Sequence, residues 1–276
     1  MNGILTIAHL TWLEARRRRI VLAAAICGLA FLMVFGIAVY FMPHPTARGP
    51  GGLLAQIQLQ TMTLAGLYAV NFLVVAFSVM LPVDTMSGEI ASGVMQTLAA
   101  RPIRRSDIVL GKWLVYWLMI GAYILFMAFG IVAEMRFLTN FTQHNLLPAL
   151  VLMQLEASVL LSITIAGGVR LSTVTNGIVA FAFYAMAFIG GWIEQIGVLV
   201  GSPSSRYIGT AISLASPIDA LWRLAMHVLQ PPVMTQIQVS PFASGSVPSM
   251  AMVWWSVAYV VVVLALATRG FQRRAL

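Results

Sequence analysis

Long apolar stretches alternate with shorter polar segments along this chain, and six of the apolar stretches are long enough to cross a lipid bilayer. A membrane-spanning helix needs about 20 residues at a rise of about 1.5 Å per residue. We therefore predict an all-α polytopic membrane protein with six transmembrane helices. The predicted spans are residues 20–42, 61–81, 113–133, 147–169, 174–193 and 250–268.

The amino-acid composition also favours a membrane protein. Hydrophobic residues make up 60% of the 276-residue chain and charged residues 9%, whereas soluble domains have about 45–50% and about 25%. Most residues lie in or between the predicted spans, which leaves no room for an independent soluble catalytic domain. We treat residues 1–276 as a single transmembrane domain.

The arginine and lysine residues gather on one side of the predicted spans. Twelve lie on the side of the two termini and four on the other side, so the positive-inside rule places both termini in the cytoplasm. Topology and lipid contact thus explain the net charge of +8, and no basic groove of the nucleic-acid type is visible. The twelve are Arg16 to Arg19, Arg101, Arg104, Arg105, Lys112, Arg170, Arg269, Arg273 and Arg274, and the four are Arg48, Arg136, Arg206 and Arg223.

Residues that bind metals or act as nucleophiles are few and scattered. Cys27 is the only cysteine, and the four histidines lie in separate segments without metal-ligand spacing. No Gly-x-x-x-x-Gly-Lys-[Ser/Thr] loop for phosphate binding occurs in the chain. The sequence therefore predicts no catalytic residue, bound cofactor or metal site, and the chain is not expected to be an enzyme by itself.

The segments on the cytoplasmic side carry helical patterns. Residues 1–19 predict either an interfacial helix before the first span or an extension of that span. Residues 82–107 predict a helix, a sharp break at Pro102, and a second helix that Ser106 can cap. Asp84 is the predicted N-cap of the first of these helices. Its apolar stripe consists of Met86, Ile90, Val94 and Leu98.

The outer-side segments are less regular. Residues 43–60 begin with proline and glycine, and the chain is expected to become helical from Leu53. Residues 194–249 form a long loop, and connections of that length usually have a function or structure of their own. Within it we predict an amphipathic helix that lies against the membrane or caps the bundle. Its start is marked by Ser216, Pro217 and Asp219, its apolar face by Ile218, Leu221, Trp222, Ala225, Val228 and Leu229, and its end by Pro231 and Pro232.

One motif is specific enough to suggest a family. It reads Ser87-Gly-Glu-Ile-x-x-Gly-x-x-x-Thr-Leu98, followed by Arg101-Pro-Ile-x-Arg-x-x-Ile-Val-Leu-Gly-Lys-Trp113. With the six spans, the arginine-rich N-terminal helix and the long outer loop, the chain resembles the permease subunits of type 2 ATP-binding-cassette (ABC) transporters. This group includes the permease of the nitrous-oxide-reductase maturation transporter.

The resemblance implies a permease that exports an unidentified substrate across the cytoplasmic membrane of a bacterium. ATP, with Mg²⁺, would be hydrolysed on a separate subunit present in two copies. The motif would contain a coupling helix that docks on this ATPase, although each charge taken alone is equally consistent with solvation or lipid contact. The residues implied in docking are Ser87, Gly88, Glu89, Gly93, Arg101, Arg104 and Arg105.

The resemblance also implies a second permease chain, in a homodimer. The first and fifth spans are candidates for the interface, because small residues such as Ala23 to Ala25 and Gly190-Gly191 let helices approach closely.

Three polar residues inside the predicted spans are candidates for a polar path through the membrane. Glu156 is the only acidic residue within the spans, and a carboxylate at that depth tends to face protein or water. Asn71 and Asn176 could line the same path, although hydrogen bonds between helices are the favoured alternative for both. A neutral, hydrogen-bonded Glu156 is the alternative for the carboxylate.

Two other functions remain open at this stage. One is a mechanotransmission subunit, which passes ATPase movement to an accessory protein on the outer side. The other is an ion-coupled secondary carrier driven through Glu156.

Overall fold

The computed structural model describes residues 3–42, 52–93, 104–231 and 246–273, and within these residues the chain forms ten α-helices and no strand. The helices are α1 (Gly3–Ala15), α2 (Arg19–Phe41), α3 (Gly52–Met80), α4 (Ser87–Ala91), α5 (Arg105–Thr139), α6 (Leu146–Gly168), α7 (Thr173–Val200), α8 (Pro203–Ala215), α9 (Ile218–Leu229) and α10 (Met250–Gln272).

Six of these helices are long and apolar enough to cross a membrane: α2, α3, α5, α6, α7 and α10. Each overlaps one of the predicted spans, so the prediction of an all-helical chain with six spans is confirmed. Three of them extend well beyond the apolar stretch that identified them, and α5 reaches 35 residues. The helices continue because their flanking segments contain good helix formers and pack against neighbouring helices.

Helices α5 and α6 form the centre of the bundle. α5 packs on α1, α2, α3, α6 and α10, while α6 packs on α3, α5, α7, α9 and α10. The peripheral helices α2 and α10 expose large apolar side chains, such as Met33 and Trp254. Such surfaces are suited to contact with lipid, because the bilayer core is as apolar as these side chains.

The bundle has two ends, named here by the short helices they carry. α1 and α4 lie at the α4 end, which is the predicted cytoplasmic side. α8 and α9 lie at the α9 end, which is the predicted outer side.

α1 is a separate helix rather than an extension of the first span. It ends at Ala15, and the extended backbone of Arg18 precedes α2. α1 packs closely on α5, since a Cβ added at Gly111 would lie 2.9 Å from the carbonyl oxygen of Ile4. Its location in the membrane interface stays a prediction.

Two predicted helix caps are wrong. α4 begins at Ser87 after Met86, and the Asp84 carboxylate accepts a hydrogen bond from α7 instead of capping it. α5 begins at Arg105, two residues before the predicted start, so Ser106 lies inside its first turn. The apolar positions Val94 and Leu98 of the predicted coupling helix lie outside the described residues.

The segment expected to be a long loop after the fifth span is largely helical in its described part, residues 194–231 and 246–249. α7 continues to Val200, and α8 then follows without having been predicted. α8 begins with Ser202 as N-cap, whose hydroxyl accepts from the backbone of Ser205, and with Pro203 in its first turn. α9 covers the residues of the predicted amphipathic helix, and it is buried on nearly all sides against α6 and α7.

Candidate functional site

Residues 81–93, called the coupling segment below, connect α3 to the α4 end of the bundle and contain α4. The side chains of Leu81 and Met86 are fully buried, whereas Ala91 and Ser92 are exposed. The segment is therefore anchored through its first half and presents the end of α4 to the surroundings.

An ion pair between Glu89 of α4 and Lys112 of α5 fixes the coupling segment to the third span. Lys112 Nζ donates to the Glu89 carboxylate and also to the carbonyl oxygen of Thr85, 3.4 Å away. The Lys112 side chain is 3% exposed and that of Glu89 12%. A hydrogen bond between the hydroxyls of Thr85 and Tyr116 adds a second connection to α5.

Glu89, a residue of the family motif, has its partner within the chain. The carboxylate, which was expected to contact an ATPase, is already paired inside the chain. Its second oxygen is buried without a hydrogen-bond partner among the described residues. Contact with another protein at this place would therefore be made by the exposed residues that follow Glu89.

Hydrogen bonds also fix the coupling segment to α7. The Ser87 hydroxyl donates to the Val83 carbonyl at 3.0 Å and lies 2.8 Å from the hydroxyl of Thr173. Thr173 donates to Asp84 at 3.0 Å. Asn176 donates to the Val83 carbonyl at 3.3 Å. Polar residues of the segment thus join two spanning helices, α5 and α7.

The two glycines of the motif, Gly88 and Gly93, are favoured for different structural reasons. A Cβ added at Gly88 would lie 2.2 Å from Oδ1 of Asp84, so the close approach of this carboxylate requires glycine. Gly93 has a φ of +76°, and no described atom lies within 4 Å of a Cβ added there. Its left-handed backbone ends the short helix α4, as glycine commonly does after a helix.

The two described arginines of the motif, Arg104 and Arg105, have different surroundings. Arg101 lies outside the described residues, and Arg104 is exposed at the N-cap position of α5. Arg105 donates to the carbonyl oxygens of Phe271 (3.3 Å) and Gln272 (3.1 Å) at the end of α10. A cation is favourable at a helix C-terminus, where the carbonyl groups carry partial negative charge.

Two of the three predicted intramembrane polar residues meet in the core. Asn71 of α3 donates to Oε1 of Glu156 in α6 at 3.2 Å, and Glu156 is 1% exposed. Glu156 Oε2 and Asn71 Oδ1 are buried without a hydrogen-bond partner among the described residues. Asn176 belongs to a different place, because it bonds to Val83 and to the carbonyl oxygen of Thr164 at the α4 end.

A second buried ion-pair site lies at the α9 end, and it was not predicted. Arg223 of α9 donates to Oε2 of Glu194 in α7 at 2.9 Å, and its Nε lies 2.8 Å from Oδ2 of Asp219. Arg223 also donates to Ser213 of α8 at 3.3 Å and to the carbonyl oxygen of Ser246 at 3.4 Å. Ser246 in turn donates to Glu194. One arginine thus connects α7, α8, α9 and the residues before α10.

Asp219 in this site has an unusual acidity. Burial raises its pKa from 3.8 to about 6, although the nearby Arg223 opposes the rise, and the negative charge of Glu194 adds to it. Burial dominates because the loss of hydration disfavours the charged form more than a single arginine, shared with a second carboxylate, can restore.

The pair Gly190-Gly191 contacts α8 and α9 of the same chain. A Cβ at Gly190 would lie 2.4 Å from Ile212 Cγ2, and one at Gly191 would lie 1.8 Å from Asp219 Oδ2. The expectation that these glycines lie between two subunits is therefore corrected. They let the outer helices pack on α7 within the chain. Ala23 and Ala25 are exposed on α2, and their place in a dimer stays a prediction.

The family model described as ABC-2 family transporter protein matches residues 5–276 of the chain. No significant match was found among curated proteins.

Proposed function

The chain belongs to the ABC-2 transporter family, and we propose that it exports a substrate across the cytoplasmic membrane of a bacterium, driven by a separate ATPase that docks on the coupling segment. As a family member it is a membrane permease subunit, and such subunits associate with an ATP-binding subunit, commonly as dimers. Export, and the likeness to the nitrous-oxide-reductase maturation permease within the family, are supported by the resemblance of the motif in residues 87–113.

One observation carries the docking proposal. The coupling segment is joined to α5 through Lys112 and to α7 through Thr173, while Ala91 and Ser92 remain exposed. A force applied to the exposed end of α4 therefore reaches two spanning helices through short polar contacts. Rigid contacts of this kind are needed if a movement outside the membrane is to shift helices inside it.

The remaining parts of the proposal rest on the family resemblance. ATP and Mg²⁺ are bound by the ATPase, in two copies that match two permease chains in a homodimer. Closure of the ATPase pair around ATP displaces the two coupling segments, and α5 and α7 move with them. The substrate path then opens alternately to the two sides of the membrane.

The docking proposal is tested by co-purification. The tagged full-length permease is isolated from membranes of its native host, and nucleotide-binding subunits are identified by mass spectrometry. We expect an ATPase to co-purify with the wild type and to be lost with Ser92→Arg, because the larger, charged side chain stands at the exposed end of α4.

The matched control places the same change on the other side of the membrane. Ser204 is an exposed serine of α8 at the α9 end, and Ser204→Arg is expected to retain the ATPase. If Ser92→Arg retains it as well as the control does, docking on the coupling segment is wrong.

A second function is favoured by the Arg223 site. Because Arg223 joins α7 to α8 and α9, movement of α7 would also shift the outer helices, as a mechanotransmission subunit acting on an outer-side protein requires. ATP-dependent movement of α8 without substrate flux in proteoliposomes would support this function. Flux in proteoliposomes that contain no ATPase would instead support an ion-coupled carrier working through Glu156.

A further inference from the structure

A basic groove lies at the α4 end, between the last turn of α10 and the turn that follows α6. It has a volume of about 550 Å³. Three arginines and three apolar or small residues line it, and no acidic residue is among them: Val169, Arg170, Leu266, Arg269, Gly270 and Arg273.

The three arginines converge on the same groove from two helices. Arg269 lies in the last turn of α10, and Arg273, four residues later, is the C-cap residue of the same helix. The Arg170 side chain reaches across from the end of α6, since its Nη2 would lie 3.7 Å from a Cβ added at Gly270.

The groove carries positive charge that the described residues do not neutralise. None of these three arginines forms an ion pair with a carboxylate among the described residues. The carbonyl oxygens of Phe271 and Gln272 at the end of α10 already accept hydrogen bonds from Arg105. All three are exposed, so within the part of the chain that the structure describes the groove presents three converging cations to an anion.

The groove is apolar toward the membrane and charged away from it. Leu266 is 59% exposed and lies one helical turn before Gly270. The distance from Leu266 to Arg273 along the helix axis is about 10 Å at a rise of about 1.5 Å per residue. An occupant must therefore combine an anionic group with an adjoining apolar part.

We propose that this groove binds an anionic phospholipid, with its phosphate group between Arg170, Arg269 and Arg273 and an acyl chain along Leu266. Guanidinium groups bind phosphate oxygens through paired hydrogen bonds, and basic pockets between spanning helices are suited to acidic headgroups. No acidic residue is among the described lining residues, which disfavours a zwitterionic headgroup, because its ammonium group would meet no carboxylate there.

Native mass spectrometry of the purified full-length permease tests the proposal. The chain is titrated with dioleoyl-phosphatidylglycerol, with dioleoyl-phosphatidylcholine, and with glycerol phosphate as a soluble headgroup. We expect tightest binding of phosphatidylglycerol. The variant Arg269→Ala/Arg273→Ala should bind it about thirtyfold more weakly, because each arginine near the surface contributes about fivefold.

Two further variants separate a specific site from general surface charge. Arg16→Ala/Arg17→Ala also removes two exposed arginines on the predicted cytoplasmic side, outside the groove, and should change the affinity by at most about twofold. Arg269→Lys/Arg273→Lys keeps the charge but loses the paired hydrogen bonds, so its affinity should lie between those of the wild type and the alanine variant. The lysine variant also keeps the test decisive if the alanine variant does not fold.

Several results would overturn the proposal. Equal binding of the two lipids, or equal weakening by the two alanine variants, would show that the groove has no selectivity. Displacement of the lipid by glycerol phosphate at equal concentration would indicate a soluble anion instead. If Arg269→Ala/Arg273→Ala binds lipid like the wild type but no longer co-purifies with the ATPase, the arginines bind an acidic protein surface instead of a lipid.

Discussion

Each end of the helical bundle holds a buried ion-pair site, and the two sites differ in charge balance. At the α4 end, Lys112 meets one carboxylate, that of Glu89. At the α9 end, Arg223 is shared between two carboxylates, Glu194 and Asp219. The first site is neutral as a pair, whereas the second has an excess of negative charge when both carboxylates are ionised.

The difference indicates two kinds of connection. The pair between α4 and α5 joins one cation to one carboxylate, and among the described residues no second carboxylate shares Lys112. The unbalanced site at the α9 end has its charge set by the protonation of Asp219, whose pKa of about 6 lies close to neutral pH. We therefore expect the packing of α8 and α9 on α7 to depend on pH, whereas the attachment of the coupling segment does not depend on this titration.

The largest expected effect comes from removing the cation at the α9 end. Arg223→Met leaves Glu194 and Asp219 buried without a counter-charge, and a broken buried ion pair costs about 3–5 kcal/mol. The free energy of unfolding in detergent, measured by denaturant titration, should fall by that amount. The control is Arg206→Met, which replaces an exposed arginine of α8. It should change the free energy of unfolding by less than about 0.5 kcal/mol. Equal effects of the two variants would contradict the structural role of Arg223.

The titration of Asp219 gives the next largest effect. Because its pKa rises from 3.8 to about 6 on burial, the folded protein binds this proton more tightly than the unfolded chain does. The stability from Asp219 is fully present below pH 3.8 and is lost as the pH rises through 6. Between pH 4 and pH 7, the wild type should lose about 2–3 kcal/mol relative to Asp219→Asn.

This measurement compares unfolding of the two proteins across the pH range, so titrations that they share cancel. Two charged groups act on Asp219 besides burial: Arg223, which lowers its pKa, and Glu194, which raises it. Parallel stability curves for the wild type and Asp219→Asn would show that Asp219 is not protonated in this range.

A smaller effect is expected for the balanced pair at the α4 end. Lys112→Met leaves the Glu89 carboxylate without its partner, but the 12% exposure of that side chain lets water reach it. We expect a loss of about 2 kcal/mol in the free energy of unfolding, below the range for fully buried pairs. The double variant Lys112→Met/Glu89→Gln should recover at least half of it, because no charge is left unpaired.

The same variants report on coupling. Lys112→Met should retain the ATPase in co-purification, since the exposed Ser92 is unchanged, yet lose ATP-driven transport. If Lys112→Met loses ATPase co-purification and transport to the same degree, Lys112 only maintains the shape of the docking surface.

The spans could be predicted from the sequence because they depend on local apolar stretches. The intramembrane polar residues could be predicted because polar groups are costly in lipid. Asn71 and Glu156 were both recognised in this way, and the structure adds that they meet each other. α8 was missed although its start signal, Ser202 followed by Pro203, is of the kind that identified the start of α9. Its residues are mixed in polarity, and they are ordered by packing on α7 through close contacts at Gly190.

The ion-pair sites could not be predicted, because they join residues far apart in sequence. No pairing partner was predicted for Lys112 or Arg223, although both charges contributed to the predicted topology and Lys112 belongs to the family motif. Lys112 has a signal that could have been used, since a lysine one turn or more inside a long helix that crosses a membrane is costly unless it is paired. The pairing of Arg223 with Glu194 depends on the turn between α7 and α8, which no local pattern specified.

The length of α5 has a mechanical consequence. Its 35 residues extend about 52 Å, whereas the hydrocarbon layer is about 30 Å thick. The helix must lean or project from the bilayer, and a change of 10° in its inclination would displace one end by about 9 Å relative to the other. Because the helix is continuous, a displacement of its first turns, where Lys112 lies, also displaces its far end. Motion can therefore pass from one side of the membrane to the other without a hinge within the helix.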